Sequence, residues 1–500
     1  MIKNKKFLKE IISTGITQLA VLILGILILK IVSHYLPEEG FGVYLIIRRF
    51  ISLGYPIITL NLSISIARNA NSDSDKAVSF LFAALMILTG FVFLGIVISS
   101  LFKVSFSRLL FGSDSYIDLV LPMWLFLFAN SVQLLLFGFF RGVQRFELMN
   151  ISNLLFWIIQ LAVLIIYPYT GNHIQYISSF LYFSSAVVLI VYITLFFKYS
   201  GLKITSLGLN KKWLSENIDF FKYGIYRIPN GFFLAGIFFI PIFIATQKLS
   251  LTHAAYIGVI ISVVRILYQT GLPFNMILLP KFSQYKSSEN RTQVVTKTKM
   301  IVELIFTFPM IFGALCYFFS PEIIQTWFGP QYIIVVDYLK YVLPGVGLLI
   351  GYVLLRGILD GLYLKAYTNL ITLFGFLVTV LLSLLSALFK VGLLGLSISL
   401  AVGTSTLGLF SLLLISRKEK IIVLNHRNIY ALIWAAFVYA MVYVLQTYFQ
   451  TTANLGFVII TKTLIAIIIL CLSYLIYKWI GYSWLKIFVK EKSLLDRSSK

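Results

Sequence analysis

Apolar residues dominate this chain in long runs, and short polar stretches separate them. The runs lie near 11–33, 42–66, 78–101, 117–140, 151–169, 176–197 and 220–246. They continue near 255–279, 299–319, 337–360, 367–389, 392–415, 429–449 and 455–479. Wound as helices, such runs cross a hydrocarbon core about 30 Å thick. The pattern predicts an all-α polytopic membrane protein with about 14 transmembrane helices.

Composition agrees with that picture: 59% of residues are hydrophobic and 12% are charged. A soluble domain carries roughly twice that charge. The basic start at Met1–Lys9 runs straight into an apolar span and carries no small-residue cleavage site, so no cleavable signal is expected. A net charge of +23 raises the question of nucleic acid, but the chain shows no recognition helix or zinc spacing, so no nucleic-acid partner is expected. The lysines and arginines instead cluster in alternate loops. With Met1 in the cytoplasm, only Lys103, Arg108, Lys248 and Lys390 fall in outer loops, which places both termini in the cytoplasm. Cys316 and Cys471 sit inside spans, which excludes a disulfide framework and a thiolate metal cluster. No loop is long; the largest, at 198–219 and 281–298, hold no domain, so function must reside in the membrane.

Two sequence halves match. Arg48, Gly54 and Pro56 in the second span recur as Arg265, Gly271 and Pro273 in the eighth, 217 positions later. Gly138, Gly142 and Asn150 recur as Gly357, Gly361 and Asn369, and Leu121-Pro122 as Leu343-Pro344. Six spans per repeat is an even number, so both halves enter the membrane in the same direction and relate by a pseudo-two-fold axis along its normal. The expected organisation is an N-lobe at 1–198, a linker at 199–219 and a C-lobe at 220–416, then two extra spans and a basic tail at 417–500. Such repeats usually hold substrate between the halves and work by alternating access. The Gly-x3-Gly pairs read as close helix packing, and Pro56 and Pro273 as kinks.

Ionisable residues within spans carry the candidate chemistry, because an arginine at mid-bilayer costs about 2.5–3.5 kcal/mol and needs a cavity or a partner. Arg48 and Arg265 hold equivalent repeat positions with no carboxylate within a helical turn. Their helices continue as polar stripes: Arg48, Ser52, Thr59 and Ser63, and Ser262, Arg265 and Gln269. In the seventh span Tyr223, Arg227 and Asn230 share a face. Arg49 and Arg356 add positive charge, although Asp360, one turn on, suits Arg356 as a structural ion pair. Arg141 and Arg145 read as interfacial anchors, and Lys30 as a snorkelling residue. The expected substrate-binding set is Arg48, Arg265, Arg49, Arg227, Ser52, Gln269, Asn230 and Arg356. Guanidinium forks bind phosphate oxygens bidentately, so phosphate or diphosphate is the natural ligand.

The segment Leu36-Pro37-Glu38-Glu39-Gly40-Phe41-Gly42-Val43-Tyr44 resembles a signature of the bacterial polysaccharide-transporter family. Gly54, Ile66-Ala67-Arg68 and the Gly357–Asn369 stretch resemble further family features. That family falls within the multidrug/oligosaccharidyl-lipid/polysaccharide exporter superfamily. The resemblance implies a flippase that moves a polyprenyl-diphosphate-linked oligosaccharide from the inner to the outer leaflet of the bacterial cytoplasmic membrane. It implies membrane lipid and polysaccharide assembly proteins as partners, and no cofactor. Related lipid II flippases also carry arginines in the first span, where this chain has Ser13-Thr14-Gly15-Ile16-Thr17-Gln18. That departure favours an O-antigen, capsule or other surface-polysaccharide unit over a peptidoglycan precursor.

Two other classes compete. A cation-coupled multidrug exporter of the same superfamily needs cavity acids, but Glu303, Asp118 and Asp360 lie near span ends. A membrane polysaccharide polymerase or ligase needs an acid pair or an outer catalytic loop. The one Asp-x-Asp, Asp73 and Asp75, reads as a solvated turn. His34, His173, His253 and His426 are scattered without ligand spacing, and no phosphate-cradling glycine loop carries a lysine. The chain therefore reads as a transporter and not an enzyme.

Overall fold

The computed structural model describes residues 5–69, 74–167, 171–200, 217–275, 278, 282, 291–363, 365–449 and 455–482. No strand occurs among them. Fourteen helical segments are long and apolar enough to cross a membrane, and each overlaps one run read from the sequence. The protein is an all-α polytopic membrane protein. Backbone N–H and C=O groups find no water in hydrocarbon, so a spanning chain must satisfy them within its own helices.

The chain divides into two compact units, 1–258 and 259–500. The first holds α1 (Lys5–Tyr35), α2 (Glu38–Ile58), α3 (Leu62–Asn69), α4 (Ser74–Leu101) and α5 (Lys103–Phe111). It continues with α6 (Val120–Gly142), α7 (Phe146–Ile166), α8 (His173–Ser200), α9 (Ile218–Ile225) and α10 (Ile228–Lys248). Helix α6 is its hub, packed by α3, α4, α7 and α8, while α1 lies on α7 and α10 on α2. Helix α11 (Leu251–Thr270) straddles the division. The second unit holds α12 (Arg291–Ile305), α13 (Phe308–Phe318), α14 (Ser320–Trp327), α15 (Val336–Val342) and α16 (Val346–Leu362). Helices α17 (Tyr367–Leu388), α18 (Gly392–Glu419), α19 (His426–Phe449) and α20 (Leu455–Ile480) complete it. Helix α18 packs on α16 and α17, and α19 on α13 and α20.

Hydropathy alone extends the second span to 66, yet α2 stops at Ile58. Leu60 and Asn61 adopt left-handed backbone, with φ of 46° and 54°, which ends the helix before α3 begins. The seventh span breaks between α9 and α10 ahead of Pro229, and the ninth between α12 and α13 ahead of Pro309. Each proline sits in the first turn of the following helix, where its missing N–H costs least. Pro56 instead lies inside α2, which continues through it. The 199–219 linker falls largely outside the described residues, as do Asp73, most of 281–290 and the basic tail beyond Tyr482.

Repeat positions make repeated contacts. A side chain at Gly138 of α6 would overlap the Ser63 backbone. A Cβ at its counterpart Gly357 of α16 would lie 3.1 Å from the Asn275 carbonyl oxygen. Gly54 faces Leu127 of α6, as Gly271 faces Val353 of α16. In both repeats the fourth span thus crosses the second through the same pair of glycines, which extends the sequence repeat to packing.

A buried lysine ties down the last span. Lys462 of α20 is 1% exposed. Its Nζ donates to Glu322 Oε1 at 2.7 Å, to the Phe318 carbonyl at 2.9 Å and to Gln446 Oε1 at 3.0 Å. Its ammonium also lies over the Phe318 and Phe449 rings, at 5.1 and 5.7 Å. Removing one partner of a buried pair orphans the other, which costs about 3–5 kcal/mol, whereas removing both can be nearly neutral. Lys462→Met should lower the thermal midpoint of the purified protein by several degrees, and adding Glu322→Gln should recover most of the loss. A similar midpoint for the two variants would refute the pair's role.

Candidate functional site

The Leu36–Tyr44 segment has a packing role. Pro37 is extended, with φ −60° and ψ 159°, and turns the chain into α2, whose first turn carries Glu38 and Glu39. Carboxylates suit a helix N-terminus. Tyr116 Oη donates to Glu39 Oε1 at 2.6 Å, and Tyr256 Oη to Glu38 Oε2 at 3.0 Å. Burial, and then the Glu39 contact, push the Tyr116 phenol well above its usual range, so it stays a donor. A Cβ at Gly42 would overlap the Leu251 carbonyl oxygen, so only glycine lets α2 meet the start of α11. Nearby, Arg108 Nη2 donates to Asp114 Oδ2 at 2.8 Å and holds that exposed carboxyl below its ordinary pKa.

One turn beyond Tyr44 lies Arg48. Its Nη1 donates to Tyr44 Oη at 3.0 Å, and its guanidinium sits 5.2 Å from the Trp157 ring and 5.7 Å from the Tyr44 ring. Trp157, on α7, packs in turn against Gly25 of α1. Ser52 Oγ donates to the Arg48 carbonyl at 3.0 Å. None of the ion pairs among the described residues includes Arg48. Aromatic faces stabilise a cation without neutralising it, so Arg48 is half-buried, held in place and still available to an anion. Arg49, beside it, is 6% exposed.

The other expected residues divide by environment. Arg265 and Gln269 are half-buried on α11, and Asn230 is 8% exposed on α10. Arg356 Nε lies 3.5 Å from Asp360 Oδ2, and Thr368 Oγ1 donates to Asp360 Oδ1 at 3.3 Å. Arg356 therefore carries a structural ion pair. Glu303 is fully buried, with Arg427 Nη1 3.9 Å away. Arg227 stands at the break before α10, 4.5 Å from the Tyr223 ring, and Arg68 of α3 lies 4.1 Å from the same ring. Among the described residues no group of three His, Cys, Asp or Glu side chains converges as a metal site.

Three of these features escaped the sequence reading. Trp157 beside Arg48 and the shared ring of Arg68 and Arg227 join distant segments, and no spacing signals them. Lys462 was legible as a lone charge amid an apolar run.

A family model described as polysaccharide biosynthesis protein matches residues 7–286. A lipid II flippase MurJ structure, in an inward closed conformation, superposes with a TM-score of 0.69 at 14% identity, covering 95% of this chain and 99% of that one. An inward-facing multidrug resistance MATE family transporter of the MOP superfamily gives 0.62 at 11% identity, covering 88% and 99%. An outward-facing MATE family transporter gives 0.55 at 14% identity, covering 82% and 96%. These likenesses are of fold. No curated protein matches the sequence.

The different settings of Arg356 and Arg48 predict different mutational costs. Asp360→Asn strips Arg356 of its counter-charge and should destabilise by about 1–3 kcal/mol. Arg48→Gln orphans no carboxylate and should leave the thermal midpoint nearly unchanged. Equal losses in a melting assay would contradict the distinction.

Proposed function

The chain belongs to the polysaccharide biosynthesis protein family, and we propose that it is a flippase for a polyprenyl-diphosphate-linked oligosaccharide. The observation that carries this reading is Arg48, a guanidinium inside a membrane span that is gripped by Tyr44 and Trp157 and, among the described residues, paired with no carboxylate. A cation kept this way suits a multiply charged anion that comes and goes. Arg265, its repeat counterpart, supplies the second guanidinium. Ser52, Gln269, Asn230 and Arg49 are further groups proposed to take part. Arg356, held by Asp360, is left out.

In this reading the diphosphate engages the two arginines, the polyprenyl tail stays in lipid, and the halves of the repeat alternate access from the inner to the outer leaflet. The protein works in the bacterial cytoplasmic membrane with both termini inside, as its basic loops suggest. Moving net negative charge outward from a negative interior gains about 2.3 kcal/mol per charge per 100 mV. The missing first-span arginines favour a surface-polysaccharide unit, such as O-antigen or capsule, over a peptidoglycan precursor. The MATE-like alternative, a cation-coupled exporter, suits the fold but calls for acids where this chain presents arginines.

Reconstituted proteoliposomes test the proposal. Wild-type protein should transfer a polyprenyl-diphosphate oligosaccharide between leaflets above the protein-free rate. Arg48→Ala with Arg265→Ala should abolish transfer while the protein remains folded. Full activity in the double variant would refute the assignment of these arginines.

A further inference from the structure

Four chain segments meet at one end of the first unit. Helix α3 ends at Asn69 with Arg68 in its last turn. Helix α6 ends at Gly142 with Arg141 in its last turn. Helix α9 carries Tyr223, and Arg227 caps the start of α10. Close packing fixes the meeting. Asn61 Nδ2 donates to the Arg227 carbonyl at 3.0 Å, and Ser65 Oγ donates to the Phe220 carbonyl. Phe80 and Phe220 stack with ring centroids 4.2 Å apart and planes 7° from parallel. The Gly138 crossing places the end of α6 against α3.

Arginines dominate the charge that this packing gathers, alongside Lys222 and Asp219 on α9. Arg68 and Arg227 lie 4.1 and 4.5 Å from the centroid of the single Tyr223 ring, and Arg141 ends α6, which crosses the start of α3 at Gly138. None of the ion pairs among the described residues includes any of the three. Ordinary interfacial anchors reach singly into the headgroups on loose side chains. Here two guanidiniums share one ring at the mutual cost of like-charge repulsion. Stacking occupies the face of a guanidinium and leaves its N–H edge for an acceptor. A group with several anionic oxygens relieves the repulsion and takes more than one fork.

We infer that Arg68, Tyr223, Arg227 and Arg141 form a second anion seat, distinct from Arg48, which takes the phosphate groups of a diphosphate at the membrane surface. Arg68 and Arg141 end their helices, and Tyr223 and Arg227 lie in the first ten residues of a 31-residue seventh span, longer than the roughly 20 residues that hydrocarbon needs. Its identification with diphosphate rests on the flippase reading, in which it captures the headgroup before Arg48 and Arg265 receive it. Tyr223 is a positioning residue that holds the two guanidiniums for the ligand.

Binding, not transport, tests the seat. The full chain carrying Arg48→Ala and Arg265→Ala is placed in phosphatidylcholine nanodiscs, so that the seat is read without the proposed central pair. Equilibrium binding is measured for radiolabelled inorganic pyrophosphate, and for nanodiscs doped with polyprenyl diphosphate or with phosphatidylglycerol. Binding of both diphosphates identifies the group itself as the ligand; binding of the polyprenyl form alone identifies a headgroup presented by the bilayer. Adding Arg68→Gln and Arg227→Gln should weaken that binding by about tenfold or more. Tyr223→Leu should weaken it also, while Tyr223→Phe, which keeps the ring, should stay within about threefold. Absence of binding, preference for phosphatidylglycerol, or equal affinity in the Phe and Leu variants would overturn the inference. Wild-type protein that fails to transfer lipid-linked sugar, with diphosphate still bound through Arg68 and Arg227, would defeat the flippase reading and leave the seat standing.

Discussion

A hydrocarbon interior offers no water to an unpaired polar group, and this constraint shapes the whole chain. Backbone groups must close their hydrogen bonds within helices, which is why fourteen spans account for most of the described residues. Where a helix breaks, something local must compensate. After α2 the left-handed pair Leu60 and Asn61 turns the chain, and the Asn61 side chain caps the Arg227 carbonyl at the neighbouring break. The breaks before α10 and α13 precede a proline with no N–H to satisfy.

The same constraint sorts the buried charges. Lys462 is surrounded by a carboxylate, an amide oxygen and a carbonyl, so its charge is spent on holding α20 to α14, α13 and α19. Arg356 is likewise occupied by Asp360. Arg48 differs in kind: aromatic rings and one phenol hold it, and none of these cancels its charge. The Arg68–Tyr223–Arg227 group shares that character. Formal charge alone does not separate these groups; what separates them is whether the surroundings already supply the opposite sign.

Glycine placement links the repeat to this sorting. Gly138 and Gly357 let the fourth span of each repeat cross at backbone distance, and Gly54 and Gly271 admit Leu127 and Val353. The repeated motif is thus first a packing device, and the arginine one or two turns earlier is carried with it. Between the two copies the position of Arg141 becomes Asp360, and the charge changes with it: a cation ends α6 in one copy, and an anion neutralises Arg356 in the other.

The sequence by itself determined the class of molecule and the spans, because hydrocarbon thickness sets a length and a polarity that any reader of the chain can measure. It also marked Arg48, Arg265 and the Arg356–Asp360 pair, since charge within an apolar run and spacing along one helix are local properties. The helix breaks at Thr59–Asn61 and Tyr226–Arg227 were less legible, because apolar residues continue through them and only backbone conformation separates the pieces. Tertiary structure alone decided that Trp157 lies beside Arg48, that Arg68 and Arg227 share Tyr223, and that Lys462 finds Glu322. Each of these joins side chains far apart in the chain, and their meeting depends on how whole helices cross.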